Sequence, residues 1–345
     1  MAQSDWSFLK DKRMDTICFP GTHDSFTYDL QLALGSDASG VVKTLFNTLP
    51  VMRNYIRDMA VTQSMDYATQ LSFGIRYFDA RLMTEGDTGL CFTHSLKTNV
   101  TFAEALAQTM RFLGSDGHDH ELVIWKVGYK GDKSEIKARI SSAIAAERSN
   151  INWIESAQDA ADLCEMTFGD VVASGRRYIL IDDDFIDSIY KEACTSVSAV
   201  MANIMAASTH RRTPPQVPFE PQCILPISTS DYVLGGLKYL AEKGLGTFVG
   251  ACTALMAIFA ALVPWLVPVV AVGGLAAYIY FKSSQYATSI AEVQARSGYQ
   301  IFEDYYTYIQ KTKTESTKAM VMITDFPRAT YIEKCRMISS ASVVC

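Results

Sequence analysis

The stretch CFPGTHDSF, residues 18–26, decides how the rest of the chain is read. Its apolar approach, Met14 to Phe19, predicts a short strand, Pro20-Gly21 predicts a turn, and His23 and Asp24 then stand at the tip. A side chain that trades a proton near neutrality is most useful where a strand gives way to a loop. The chain has only five histidines, so the question becomes which other residues reach the same place.

Short apolar runs ending in polar residues recur at Asp15–Phe19, Ile75–Leu82, Leu122–Val127, Tyr178–Asp182, Cys223–Ile227 and Ala319–Asp325, and they read as strands. Helical stretches lie between them. Thr101 with Glu104 three residues on is a capping-box opening for a helix to Leu113, and Glu135–Ser149 is a second helix. Strands alternating with helices predict a parallel sheet with helices outside and ligands at the carboxyl ends of the strands. The pattern gives about six strands, so a closed barrel of eight does not follow from it.

In GIRYFDARL, residues 74–82, a period of two puts Ile75, Tyr77, Asp79 and Arg81 on one face of a strand. Arg81 suits a phosphate, its planar fork matching two oxygens while Asp79 steadies it. A purely structural Asp79–Arg81 ion pair fits this stretch equally well. CFTHSL, residues 91–96, sets His94 just past an apolar run. Two histidines and an arginine are the inventory for splitting a phosphodiester with one base and one acid. In MVMITDFPR, residues 320–328, Asp325 closes a strand where its carboxylate can accept from the second ring nitrogen of His23 and fix its tautomer. His118, His120 and His210 read as surface residues.

Apolar residues make up 49% of the 345 and charged ones 20%, which excludes disorder, and a net charge of -6 gives no reason to expect nucleic acid as a partner. The amino terminus, MAQSDWSFLKDKRMD, has no apolar core segment, so no secretory signal is expected and the chain is expected in the cytosol. The eight cysteines form no C-x-x-C pair and sit mostly in apolar runs, as reduced buried thiols do.

PGTHDS, GIRYFDARL, THS and a last strand ending DFP, in this order, resemble the catalytic X region of the phosphatidylinositol-specific phospholipase C superfamily in its bacterial-type form. The resemblance runs from about Asp15 to about Glu333. It implies an α/β fold, a distorted TIM-type (β/α)8 barrel, as a single domain over residues 1–345. It further implies His23 as the base that deprotonates the inositol 2-hydroxyl and Asp325 as its orienting partner. Arg81 would stabilise the phosphate oxygens, Asp24 and Asp79 would support the site, and His94 would protonate the departing diacylglycerol. The calcium-dependent branch has an acidic residue where Arg81 stands, so a metal-independent enzyme without cofactor is implied. For the headgroup the family uses a lysine and an arginine from middle strands and an Asp and Tyr from a later one. The nearest equivalents here are Lys126, Arg176 or Arg177, and Asp231 or Tyr232, a departure in register from the family pattern.

Residues 244–281 have no counterpart in that resemblance. These 38 residues carry no charged side chain, and their natural solvent is lipid. Because the strand of Asp325 must return beside His23, both ends should lie on one side, with a turn at Pro264 and Pro268 around Trp265. The segment therefore reads as an apolar helical hairpin inserted in the barrel, re-entrant in a phospholipid membrane. Lys238, Lys243, Lys282, Tyr278 and Tyr280 lie at its borders. A buried helical pair, in the core or a dimer interface, is the competing reading. The expected function is cleavage of phosphatidylinositol or a glycosylated form of it. The alternatives are an idle lipid-binding barrel, or a phosphodiesterase of the glycerophosphodiesterase or sphingomyelinase D kind, against which Arg81 argues.

Overall fold

The computed structural model describes residues 6–87, 89–191, 193–209, 217–252, 274–295, 299–312 and 321–340. Its central ladder is parallel: β1 (Phe19–Thr22) lies between β11 (Val321–Thr324) and β3 (Tyr77–Glu85), and β3 is followed by β6 (Val123–Tyr129), β8 (Tyr178–Asp182) and β7 (Ile151–Ile154). Beyond β11, a short parallel pair, β9 (Asp187–Ile189) with β10 (Phe219–Pro221), is tied on by a Gln222–Ile323 bridge. Among the described residues no ladder joins this pair to β7. The expected distorted barrel is therefore present but open on one side.

Register explains where chemistry sits. Gly21, Tyr77, Ile124, Ile179 and Ile323 are mutual partners in one row across the ladder. With side chains alternating faces, the next inward row toward the carboxyl ends holds Asp79, Lys126 and Ile181, and the next Arg81 and Gly128. The interior is thus apolar at its base, where Phe19, Tyr77, Ile124, Ile179, Ile181 and Ile323 pack together, and charged at its mouth. Outward, Phe78, Ala80, Trp125, Val127 and Leu180 pack under helices such as Phe102–Gly114, which opens with the expected Thr101–Glu104 capping box.

Two expected strands are corrected, and three unexpected ones extend the sheet at β3. β1 runs Phe19–Thr22 and not Met14–Phe19, where Met14–Thr16 is a single 3-10 turn. Pro20-Gly21 is therefore strand and not turn. A Cβ on Gly21 would stand 2.8 Å from Ile323 Cγ2 and 3.0 Å from the Met322 carbonyl, so only glycine lets β1 and β11 close up. Gly21→Ala is expected to cost about 1–3 kcal/mol through overpacking. An unchanged urea midpoint would contradict this account of the strand. Cys223–Ile227 is irregular chain following β10, with only Gln222 bridged before it. β2 (Leu30–Leu34), β4 (Gly89–His94) and β5 (Leu96–Thr101) form an antiparallel extension on β3 that the apolar pattern does not announce. The second expected helix spans Lys133–Ala143.

Of the apolar insert, residues 253–273, with Pro264, Trp265 and Pro268, lie outside the described residues. Residues 245–252 and Gly274–Ser283 are helical and stand side by side, Phe248 lying 6.1 Å from the Tyr278 ring and 6.0 Å from Phe281. Phe248, Cys252, Ala277 and Phe281 share a core with Leu237 and Leu240 of the helix Thr229–Glu242. On the outer side Leu245, Val249, Ile279 and Tyr280 are exposed. The base of the insert is core on one face and bare apolar surface on the other. Among the described residues no helix is long and apolar enough to cross a membrane.

Candidate active site

The barrel mouth gathers all six residues to which the resemblance gives a catalytic or supporting role. His23 Nδ1 is 2.9 Å from Asp325 Oδ1, and its Nε2 is 2.9 Å from Arg81 Nη2 and 3.1 Å from Asp24 Oδ2. Arg81 reaches Asp24 Oδ1 at 2.7 Å and Asp79 Oδ2 at 3.1 Å. Asp24 Oδ2 also lies 3.4 Å from His94 Nε2. The two imidazole centroids are 6.1 Å apart. The side chains of Asp24 and Asp79 are fully buried, so their charges are sustained by Arg81 and Lys126 and not by water.

Hydrogen-bond roles follow from donor and acceptor types. A guanidinium only donates, so His23 Nε2 accepts from Arg81 and the proton rests on Nδ1, donated to Asp325. That is the neutral tautomer of a base, with Asp24 Oδ2 ready to accept once Nε2 is protonated. His94 Nδ1 donates to the Ala60 carbonyl at 2.9 Å, which leaves Nε2 as its exchanging nitrogen. Thus Asp24 sits between the working nitrogens of both rings.

Electrostatics agree with these roles. Burial alone would lower the His23 pKa, but the carboxylates of Asp24 and Asp325 outweigh it and hold the ring above 6.5 despite Arg81. Burial likewise disfavours the Asp79 anion, yet Lys126 and Arg81 hold it well below the usual carboxylate range. Against its own burial, Arg81 is kept firmly charged by Asp24 and Asp79. His23, Asp24 and Asp79 have ligand atoms close enough to share a cation, and the Arg81 guanidinium is a cation already in contact with all three.

Backbone strain is concentrated here. Among the described residues the non-glycine positions of positive φ are Asp24 (43°), Ser95 (61°) and Phe326 (45°), which directly follow His23, His94 and Asp325. A phenylalanine in the left-handed region is held against a steric cost. The surrounding structure supplies the restraint: Thr62 Oγ1 and Gln63 Nε2 donate to the His23 carbonyl at 2.9 and 2.8 Å. Phe326 N donates to the Thr62 carbonyl at 3.1 Å, and the Ser95 amide donates to both Asp37 oxygens at 3.1 Å. Gln294 Nε2 reaches Thr324 Oγ1 and the Asp325 carbonyl. None of Thr62, Gln63, Asp37 and Gln294 carries a sequence motif.

The residues suggested for the headgroup part company. Lys126 is at the mouth, 6% exposed, bridging Asp79 Oδ1 at 3.1 Å and Glu220 Oε1 at 2.7 Å. Arg177 is not there. It precedes β8, at the closed end, and donates to the carbonyls of Leu113, His118 and Glu121. Asp231 is exposed in the first turn of the helix Thr229–Glu242, where it and Ser228 cap that helix. Tyr232 packs on Tyr55 and lines an apolar groove.

In their place stand two carboxylates the sequence did not flag. Glu220 is fully buried among Lys126, the Tyr77 hydroxyl, Ser188 and Gln222. Asp183 approaches Arg81 across Gly128, where a Cβ would be 3.2 Å from Asp183 Oδ2 and 3.7 Å from Arg81 Cγ. Burial and then Asp182 push the Asp183 pKa up to about 6. Asp182 itself points outward and is paired with Lys133 and Lys137, and Asp184 with Lys133, so the acids flanking Asp183 are held in ion pairs.

No family model matches the chain. PI-PLC X domain-containing protein 1 of Danio rerio is 33% identical over 131 residues, which cover 35% of this chain and 42% of that protein. The Homo sapiens protein of the same name is 31% identical over 134 residues, 36% of this chain and 41% of that one. The chain thus spans about two fifths of the length of the curated relatives it matches. Among solved structures, the phosphatidylinositol-specific phospholipase C from Listeria monocytogenes superposes with a TM-score of 0.56 at 13% identity, covering 95% of both chains. The S. aureus enzyme gives 0.51 at 14% identity, covering 96% of this chain and 95% of that one.

Relatives named PI-PLC X domain-containing proteins and structural neighbours that are bacterial phosphatidylinositol-specific phospholipases C together support a PI-PLC-like superfamily assignment. The chain's fold is that of phospholipase C, and within that fold the charged mouth described above lies at the carboxyl ends of the strands, where parallel barrels place their ligands. Strand direction accounts for Arg177 as well. A residue that precedes a strand stands at its amino end, so no shift of register within β8 brings that side chain to the mouth.

Proposed function

We propose that the chain is a phospholipase C-type phosphodiesterase that cleaves phosphatidylinositol, or a glycosylated form of it, without a metal ion. His23 Nε2 takes the proton of the inositol 2-hydroxyl. The freed oxygen attacks phosphorus, the bond from phosphorus to the diacylglycerol oxygen breaks, and that oxygen takes a proton from His94 Nε2. A cyclic inositol phosphate and diacylglycerol result. Arg81 supports the charge on the non-bridging oxygens in a site from which water is largely excluded. Lys126, Glu220 and Asp183 face the sugar hydroxyls, and a lipid surface is the partner, approached by the bare face of the insert.

The observation that carries this reading is the pair of imidazoles, each locked at Nδ1 by an acceptor and each turned with Nε2 toward Asp24. A lipid-binding module has no use for a base and an acid so arranged. The test is purified protein with detergent-dispersed phosphatidylinositol and excess chelator, with products separated as cyclic or acyclic phosphate. Release of the cyclic ester supports the proposal; no turnover, with lipid still bound, would make the chain an idle binder.

A pH prediction follows. Since the His23 pKa is raised, the acid limb of kcat/KM should lie above pH 6.5. Asp325→Asn removes a charge and a hydrogen bond that raise it, so the limb should move to lower pH. The rate should fall about 10- to 100-fold, because an amide can donate to Nδ1 and select the wrong tautomer. Stability linked to a raised histidine pKa is complete below 6.5 and fades as pH rises through the folded value. The variant's stability deficit should therefore be larger at pH 6 than at pH 9, and a limb that does not move would detach Asp325 from His23.

A further inference from the structure

Beside the catalytic pair opens a groove of about 430 Å³, floored by His23, His94, Asp325 and Thr62, a volume in the range of small-molecule sites. Val42, Ile56, Met59, Leu225, Ile227 and Ile290 give it a continuous apolar wall, Ser39, Ser95 and Thr229 add hydroxyls, and among the described residues no lysine, arginine or glutamate lines it. Arg81, Asp79, Lys126 and Glu220 do not line it either. The site therefore has two sides: a charged one around Arg81 and Lys126, and an apolar one reached past His94.

The groove does not end at the barrel. Met59, Leu225, Pro226 and Ile227 also wall a second hollow of about 190 Å³, which Asp231 and Thr195 border as well and which continues to Gln285 and Tyr286. Those two residues border a third, of about 440 Å³, against Tyr280 and Ser283. Tyr280 is 52% exposed and its neighbour Ile279 56%, both on the bare face of the insert. Hollows that share lining residues thus run from His94 to the surface beside Tyr280.

We propose that this groove holds one acyl chain of the leaving diacylglycerol, so that the lipid is cleaved with that chain inside the protein. The inference rests on the proposed function, which makes His94 the group beside the leaving oxygen. A phosphodiester whose one substituent is a polyol and whose other is a glyceride needs a polar and an apolar side flanking the phosphate, and the two sides lie in that relation here. Continuity with the insert gives the chain a path from the bilayer that keeps it out of water.

Binding of n-alkyl phosphates from methyl to octyl, followed by calorimetry, tests this. Affinity should rise by about fourfold per methylene while the chain fills the groove, then level off. In Val42→Trp, which narrows the groove, and separately in Ile227→Asn, which makes its wall polar, the increment should shrink. Melting curves establish that each variant is folded, and the two act by different means, so one suffices. Equal affinity for methyl and octyl phosphate would overturn the proposal, as would increments undiminished in a folded variant. Equal affinity for octyl phosphate and octanoate in the wild type would place the chain elsewhere than beside the phosphate site and overturn it too. Failure of the proposed function reads out separately, as absent hydrolysis of a chainless, water-soluble inositol phosphate aryl ester.

Discussion

Alanine at His23 is expected to lower turnover by about 10³-fold on every substrate, whereas alanine at His94 does so only when the leaving group needs a proton. The difference follows from the two hydrogen-bond patterns. His23, oriented by Asp325 at 2.9 Å, is the base for the attacking hydroxyl whatever departs. His94, pinned through Nδ1 to Ala60, offers Nε2 to the oxygen that leaves. With phosphatidylinositol both variants should fail. With an aryl ester whose phenolate departs unaided, His94→Ala should recover most of its rate and His23→Ala none. Both should fold: His94 is a quarter exposed, and losing His23 leaves Asp24 still paired with Arg81. A His94 variant equally impaired on both substrates would remove the acid's role and leave the residue a scaffold.

The constellation was legible because each of its parts is short and contiguous. His23-Asp24 follows one strand directly, Asp79 and Arg81 share a face by period two, and Asp325 closes the last strand. Such residues need only the strand's position and direction to be placed. The headgroup residues were less legible, though strand direction alone excludes Arg177. It precedes β8, whose five residues carry the chain about 16 Å before reaching the mouth. Asp183, at the other end of the same strand, is the residue direction favours. Asp231 reads equally as the Ser228-x-x-Asp231 helix opening that it forms.

What no pattern shows is equally specific. Glu220 is one acid in a proline-rich stretch, and only Lys126, 94 residues away in sequence, makes sense of it. The hairpin of β4 and β5 turns at Ser95 with φ of 61° and without the glycine or asparagine that signals such a turn. Asp37 supplies the restraint from a distant loop. The Pro20-Gly21 pair looked like a turn because the close approach of β11, which demands the glycine, comes from the far end of the chain. Long-range partners of this kind decide a local conformation against its local signal.

Arg81 should be the least replaceable residue of the mouth. It touches Asp24 at 2.7 Å, Asp79 at 3.1 Å and His23 at 2.9 Å, and only a planar fork satisfies all three. Arg81→Lys keeps the charge but reaches fewer partners, and a loss of about 10²- to 10³-fold in kcat is expected from the lost support of the phosphate oxygens. Arg81→Asp adds a third carboxylate beside two that are fully buried, leaving Lys126 as the nearby counter-charge. That variant should be inactive and less stable by about 3–5 kcal/mol, the scale for stranding buried charge. It should also acquire a response to calcium. His23, Asp24 and Asp79 already place ligand atoms within 4.8 Å of one another, and an acid in place of the guanidinium vacates the position between them. Calcium should raise its melting point and return a little activity, while the unmodified protein ignores calcium and chelator alike. A wild-type protein that stops in chelator, or a lysine variant with undiminished kcat, would mean that the guanidinium is not the cation on which this site depends.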